Sequence, residues 1–143
     1  MAVTVRKITV FRAEVANRAG TLAGLLETLT AAKGSLDVVM GYRVPGQHER
    51  AVIEVWPVSG KKMTQAALSV GLKPSDTPTL LVIGDDKPGL GHAMARALAD
   101  AGINLVFLVA QVVGRRYSAV FGFESSADAD RATALLKKAK PGR

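Results

Sequence analysis

The sequence contains no cysteine, and this absence excludes disulfide frameworks, thiolate nucleophiles and cysteine-based metal sites. Its two histidines, His48 and His92, lie far apart in the chain, so a histidine-rich metal site is excluded as well. The longest apolar stretch, residues 103–110, is far shorter than the ~20 residues that a membrane helix needs. We expect no signal peptide, because no long apolar run follows Arg6 and Lys7. These absences predict a cytoplasmic protein with no cofactor and no membrane partner.

The chain is basic, and the charge is spread evenly. Its 143 residues include 19 lysines and arginines against 12 aspartates and glutamates, a formal charge of +7. A basic surplus hints at nucleic-acid binding. However, the net charge is +4 over residues 1–72 and +3 over residues 73–143, so neither half is a basic arm. Because 48% of the residues are hydrophobic, we expect packed domains with a solvated basic surface.

Two segments of the chain repeat each other. Residues 17–32 and 86–101 both begin with a polar residue, pass through a glycine loop and continue as an amphipathic helix. The aligned positions are Gly20 with Gly89, Leu29 with Leu98, Ala32 with Ala101, Asn17 with Asp86, and Arg18 with Lys87. The sequence therefore predicts two domains, the first copy (residues 1–76) and the second copy (residues 77–143).

Each copy shows the order strand, helix, strand, strand, helix. In the first copy, residues 3–16 are rich in Val, Ile and Phe and are predicted as one strand, and Asn17 is predicted to cap the following helix. A further short strand is predicted after Gly71, and the two prolines of residues 73–78 deny that segment a central place in a sheet. This completes a βαββαβ order in the first copy. The second copy ends where its final strand should begin, so we predict that this strand is absent.

Residues 80–91 resemble a dinucleotide-binding turn, because a strand is followed by glycines and then by a helix. The glycine spacing, Gly-x4-Gly-x-Gly, differs from the fingerprint of that turn. In addition, no acidic residue follows the next strand to bind a ribose. A dinucleotide site is therefore not expected.

The βαββαβ order also occurs in RNA-recognition domains, whose reading strand needs aromatic side chains that stack on bases. The nearest match, residues 115–122, fails at four of its specified positions, and aromatic residues make up only 5% of the chain. A stacking surface for RNA is therefore not predicted.

The second copy resembles the ACT domain, a small ligand-binding regulatory domain. The resemblance is carried by DKPGL at 86–90, the alanine-rich helix that follows, and AGINL at 101–105. The first copy, with NRAGTL at 17–22, is a degenerate version in which Ala19 replaces the usual proline. Gly91 stands where Leu22 stands in the first copy and where the family often has leucine. The whole chain resembles small proteins made of two ACT domains and nothing else.

This resemblance implies an α+β fold with two ferredoxin-like βαββαβ units, each an antiparallel sheet with helices on one face. It also implies a non-catalytic protein that binds an amino acid or similar small carboxylate and regulates metabolism or a partner enzyme. The ligand-binding residues implied are Asn17, Gly20, Thr21, Leu22, Asp86, Gly89, Leu90 and Asn104. The residue types of the two loops are consistent with a carboxylate ligand, since glycine lets a carboxylate approach the N–H groups of a helix N-terminus. Asn17, Asn104 or Asp86 could hold an amino group.

His92 is predicted in the first turn of a helix, where the dipole disfavours its cation. It is interpreted either as a surface residue or as a neutral hydrogen-bond partner for a ligand in the Gly89 loop. The sequence shows no nucleophile motif and no paired carboxylates, so no enzyme activity is expected.

The strands predict association. Along residues 103–113 both faces are apolar, whereas a sheet covered by helices on one side alternates apolar and polar residues. We therefore expect a homodimer, joined through sheet faces or through the edge strands of the second copy. A nucleic-acid-binding or protein-interaction module of the same fold stays open as the alternative function.

Overall fold

Residues 3–141 are described by the computed structural model, which places eight strands and four helices in this range. The strands are β1 (Thr4–Ile8), β2 (Phe11–Ala16), β3 (Val38–Val44), β4 (Gln47–Trp56), β5 (Lys73–Pro74), β6 (Thr79–Asp85), β7 (Leu105–Val113) and β8 (Arg116–Phe123). The helices are α1 (Thr21–Ala31), α2 (Lys61–Ser69), α3 (Leu90–Asp100) and α4 (Ser126–Lys138). No helix within residues 3–141 is long and apolar enough to span a membrane.

The described chain divides into two compact units. Residues 9–75 form the first unit, and residues 3–8 together with 76–141 form the second unit. Each unit has one four-stranded sheet, and every strand pair in both sheets is antiparallel. The predicted α+β class with two βαββαβ-type units is confirmed.

The first unit packs α1 and α2 on one face of its sheet. The strand order is β3-β4-β2-β5. Phe11 and Ala13 alternate along β2, as Ile53 and Val55 do along β4, so all four side chains share one face. They form a buried cluster with Leu25, Leu29, Ala67 and Leu72. The short strand β5 lies at the edge of the sheet, as its proline requires.

The second unit repeats this arrangement with its helices α3 and α4. The strand order is β1-β6-β8-β7. Its core combines β6 and β8 side chains with both helices, and its buried members include Leu80, Val82, Met94, Leu98, Ala119, Phe121 and Leu136. The similar architecture agrees with the repeat in the sequence.

The N-terminal strand belongs to the second unit, which corrects the predicted domain bounds of 1–76 and 77–143. Residues 3–16 are two strands, because pairing stops at Thr9 and Val10. Residues Thr4–Ile8 pair with Ile83–Thr79 of β6. Residues 139–141, which follow α4, form no strand. The strand β1 therefore takes beside β6 the place that β5 takes beside β2, and this edge of β6 is not open for dimer pairing as the sequence had suggested.

The two glycine loops are equivalent. Gly20 precedes α1 with φ 91°, and Gly89 precedes α3 with φ 84°, both in the left-handed region that glycine adopts without strain. The prediction that Asn17 caps α1 is wrong, because Gly20 holds the cap position and no side chain caps the helix.

Gly122 on β8 is expected to be intolerant of any side chain, because a Cβ there would overlap the ring of Phe107. We expect Gly122→Ala to lower the free energy of unfolding by roughly 1–3 kcal/mol, the usual cost of overpacking. The matched control is Gly41→Ala on β3, where a Cβ would meet nothing within 4 Å. Denaturant unfolding measures both variants, and equal stability of the two would contradict the packing argument.

Candidate functional site

The loop that joins β2 to α1 leaves the start of the helix accessible. The first i to i−4 bond of α1 runs from the Gly24 N–H to the Gly20 carbonyl at 2.9 Å, and Thr21 N–H donates to the Arg18 carbonyl. The N–H groups of Leu22 and Ala23 have no partner within the helix. Together with the positive end of the helix dipole, they favour an anion at this place.

Asn17 holds this loop in position. Its backbone N–H donates to the Glu49 carbonyl at 2.9 Å, and its side-chain Nδ2 donates to the His48 carbonyl at 2.6 Å. Both bonds tie the loop to the start of β4. Asn17 is therefore a positioning residue, and its Oδ1 is an acceptor that neither of these bonds uses.

A cavity of about 270 Å³ lies against the same loop, on the helix-covered face of the sheet. It is lined by Val15, Ala16, Asn17, Arg18, Thr21, Leu22, Gly41, Tyr42, Arg43, Ala51, Val52 and Ile53. Space is left there because Gly41 has no side chain and Ala51 contributes only a methyl group. Typical ligand pockets measure about 300–1,000 Å³, so the cavity suits a small ligand. We call it the first-unit cavity.

The first-unit cavity has a positive character. Its lining includes the two arginines Arg18 and Arg43 and no carboxylate. Within residues 3–141, neither guanidinium takes part in an ion pair. Arginine presents a planar fork of donors that matches a carboxylate. The arrangement favours a small anion over a cation.

The structure brings three of the sequence-predicted residues, Asn17, Thr21 and Leu22, together at the first-unit cavity. Gly20 adjoins them as the residue before α1. Leu22 is 42% exposed, so its side chain is accessible to a ligand.

The sequence-predicted residues of the second unit are arranged differently. Asp86 is exposed, and its backbone N–H donates to the Arg115 carbonyl at 2.8 Å. Leu90 is 4% exposed and belongs to the core, whereas His92 is exposed on α3. The loop therefore keeps the glycine geometry while its leucine is used for packing.

Asn104 is not brought to the Gly89 loop within its unit. It precedes β7, whose first residue, Leu105, pairs with Phe123 at the end of β8. The Phe123 N–H donates to the Pro78 carbonyl, so this end of the sheet is where β6 begins. The glycine loop follows the other end of β6. A seven-residue strand separates the two positions by about 20 Å, so a ligand-binding role of Asn104 stays a prediction.

The residues of β3 and β4 that line the first-unit cavity, among them Arg43 and Ala51, could not be assigned to the site from the sequence. Arg43 and Ala51 are partners across the β3–β4 hairpin, and only the strand register brings them beside the α1 loop. The signal that could have found Arg43 is a charged residue within the otherwise uncharged strand VVMGYRV.

A larger cavity of about 620 Å³ lies in the second unit, between the 85–90 loop and the end of α4. Lys87, Lys137 and Lys140 give it a basic lining, and its one carboxylate, Asp85, is paired with Arg116 at 2.8 Å. Lys137 also lies in the last turn of α4, where a cation stabilises the helix dipole. Lys137 is therefore explained by the helix it ends, whereas Lys87 belongs to the loop before α3 and Lys140 follows α4.

A buried carboxylate lies on the first-unit sheet beside Tyr42, a residue that lines the first-unit cavity. Glu54 is 2% exposed, and its Oε2 accepts a hydrogen bond from the hydroxyl of Tyr42 at 2.6 Å. Burial, followed by the bond and the charge of Glu54, raises the pKa of Tyr42 to about 12. Burial likewise raises the pKa of Tyr117 above its ordinary value.

These are the only tyrosines, so at pH 10.0, the ordinary phenol pKa, native protein is expected to show less phenolate absorbance than the unfolded chain. The unfolded chain loses its phenolic protons first, so stability falls as the pH rises from 10.0 towards about 12. Ultraviolet titration of native and denaturant-unfolded protein checks this, and Glu54→Gln should lower the native midpoint. Coincident native and unfolded titration curves would contradict the expectation.

No protein-family model matches the sequence, and no curated protein matches it either. Solved structures match its fold. A protein from Bacteroides thetaiotaomicron is 13% identical with a TM-score of 0.75, over 94% of this chain and 89% of that chain. The ligand-free regulatory subunit of aspartate kinase from Thermus thermophilus is 16% identical with a TM-score of 0.65, over 97% of both chains.

The corresponding subunit from Thermus flavus is 15% identical with a TM-score of 0.57, over 95% of this chain and 97% of that chain. At these identities the likeness shows the fold. The tandem ACT-type fold predicted from the sequence is therefore confirmed, over nearly the full length of this chain and of these structures.

Proposed function

We propose that the chain is a non-catalytic regulatory protein that binds an amino acid or similar small carboxylate in the first-unit cavity. The observation that carries this proposal is the combination, in one small cavity, of a helix N-terminus without a side-chain cap and two arginines that form no ion pair within residues 3–141. The ligand carboxylate lies against the N–H groups of Leu22 and Ala23, and Arg18 and Arg43 complement its charge.

The lining also defines the ligand class. Without a carboxylate in the cavity, the amino group of a ligand finds neutral acceptors only, such as Oδ1 of Asn17. A second negative charge on the ligand would be matched by the second arginine. Acidic amino acids and other dicarboxylates are therefore favoured over lysine and arginine.

The proposal includes that the protein catalyses no reaction. The residues that line the first-unit cavity include no histidine and no carboxylate that could act as a general base on the hydroxyls of Thr21 and Tyr42. The fold is shared with structures named as regulatory subunits of aspartate kinase, which supports a regulatory role exerted on a separate enzyme. Within the same proposal, the protein is cytoplasmic and acts as a homodimer.

Thermal-shift measurements against each standard amino acid test the proposal, followed by calorimetry on those that stabilise the protein. Ligand binding to the native state raises the melting temperature by mass action. We expect L-aspartate or L-glutamate to give the largest shift and lysine to give none. A single-stranded oligonucleotide serves as the comparison, since the alternative of a nucleic-acid-binding module predicts stabilisation by that polyanion and by no amino acid.

A further inference from the structure

The two units differ at one position that decides whether a pocket exists. In the first unit, Ala51 on β4 is level with Val15 on β2. In the second unit, Tyr117 on β8 is level with Gly84 on β6. Val15 and Gly84 correspond at the same sequence offset, 69 residues, that aligns Gly20 with Gly89. The strand register therefore places Tyr117 where the first unit has Ala51, although the two residues lie only 66 positions apart in sequence.

Tyr117 fills the corresponding space of the second unit. Its side chain is 6% exposed and packs in the core cluster that contains Leu90, at the start of α3. Its hydroxyl oxygen lies 3.7 Å from the position that a Cβ on Gly91 would occupy. A leucine side chain, as the first unit has in Leu22, would extend from that Cβ into the tyrosine. The absence of a side chain at Gly91 thus accommodates Tyr117.

We propose that Tyr117 closes the second copy's pocket from within, so that each chain binds one ligand, in the first unit. The residue pair Ala51 and Leu22 makes an open site, and the pair Tyr117 and Gly91 makes a filled one. This inference rests on the proposed function, and it adds the stoichiometry and the residues that set it.

The charged residues around the first-unit cavity and around its counterpart in the second unit also differ, and this difference likewise favours an anionic ligand in the first unit. Arg43 is level with Ala51, whereas Val112 is level with Tyr117, so the second unit has no guanidinium at the equivalent position. Asp86 stands at the position of Asn17 and adds a negative charge to the second loop. At the place that corresponds to the first-unit cavity, an anionic ligand is therefore disfavoured by charge as well as by volume. The basic cavity of the second unit lies elsewhere, between the 85–90 loop and the end of α4.

The test introduces into the first unit the residue pair, tyrosine and glycine, that fills the corresponding space of the second unit. We expect wild-type protein to bind one L-aspartate per chain by calorimetry, and Ala51→Tyr combined with Leu22→Gly to weaken that binding about 100-fold or more. Since the second unit already packs this pair, circular dichroism should show an intact fold. Leu22→Gly alone is measured in parallel as the reference, because it removes one side chain of the site without filling the cavity. The further loss of affinity when Ala51→Tyr is added then measures the effect of filling.

The reverse change supplies a second, independent measurement. Tyr117→Ala combined with Val112→Arg opens the second pocket, and the stoichiometry is expected to rise from one to two per chain. Two sites in the wild-type protein, or undiminished binding by the folded Ala51→Tyr, Leu22→Gly variant, would overturn the role of Tyr117 while leaving the proposed function intact. If neither wild-type nor the opened variant binds any amino acid, the proposed function itself fails.

Discussion

Leu22→Asp is expected to abolish binding of a carboxylate ligand while leaving the protein folded. Leu22 lines the first-unit cavity, is 42% exposed and lies in the first turn of α1. An aspartate there adds a negative charge beside the ligand, and at an effective dielectric constant near 20 two charges about 4 Å apart repel by about 4 kcal/mol. A loss of affinity of at least about 100-fold in calorimetry follows. The same aspartate complements the helix dipole, so α1 should not be weakened.

The matched control is Gly24→Asp, two positions further along α1. Gly24 is exposed, does not line the cavity and has open space for a side chain, and its N–H is already bonded to the Gly20 carbonyl, so its aspartate acts on the helix without entering the site. Leu22→Asn introduces a side chain of nearly the same shape as aspartate but without its charge. We expect this variant to lose less affinity than Leu22→Asp. Unchanged binding by Leu22→Asp would show that the ligand lies elsewhere.

The loops of the site were predictable because their signals are local. Gly20 and Gly89 stand directly before periodic apolar helices, and a left-handed residue before a helix is a conformation that glycine supplies. The edge position of β5 was predictable for the same reason, since a proline within the strand restricts where it can pair. In each case the residue itself carries the constraint.

The division of the chain was less accessible to sequence reasoning. Residues 3–16 form one nearly continuous β-rich segment, and nothing in its composition shows that Thr9 and Val10 separate strands of two different sheets. The cause is non-local: the second copy has no strand after α4 among the described residues, and the open edge beside β6 is paired by β1. A strand that completes a distant sheet leaves no signature in its own residues.

The difference between the two pockets was inaccessible for a related reason. The Gly91 substitution was visible in the aligned helices, but its counterpart Tyr117 lies on a hairpin whose alignment depends on pairing register. A bulge-like shift of register between Leu105 and Phe107 accompanies that hairpin. Gly91 leaves the space that the Tyr117 side chain fills, and these two residues become neighbours only in the folded unit.

The strongest remaining signal of association is the edge strand β7. It is nine residues long, has no charged side chain, and lies at the end of the strand order β1-β6-β8-β7. Its exposed apolar side chains are Val106 at 55%, Leu108 at 46%, Val109 at 47%, Val112 at 48% and Val113 at 67%. A long apolar edge with unpaired backbone groups is a template for pairing with another strand. Because β7 presents the same groups on every chain, we propose a second copy of this chain as its partner, with the two β7 strands antiparallel.

Leu108→Lys is therefore expected to halve the mass in solution. Antiparallel pairing of two β7 strands across a two-fold axis brings the two substituted residues into one interface, and burying two lysines there is strongly unfavourable. Light scattering at micromolar concentration should give wild-type protein about twice the chain mass of 15.0 kDa, and the variant a mass near 15.0 kDa. The control is Leu68→Lys, at an exposed leucine on α2 outside this edge (52% exposed), which should remain dimeric. A wild-type mass near that of one chain would refute the interface, and a dimeric Leu108→Lys variant would move it away from β7.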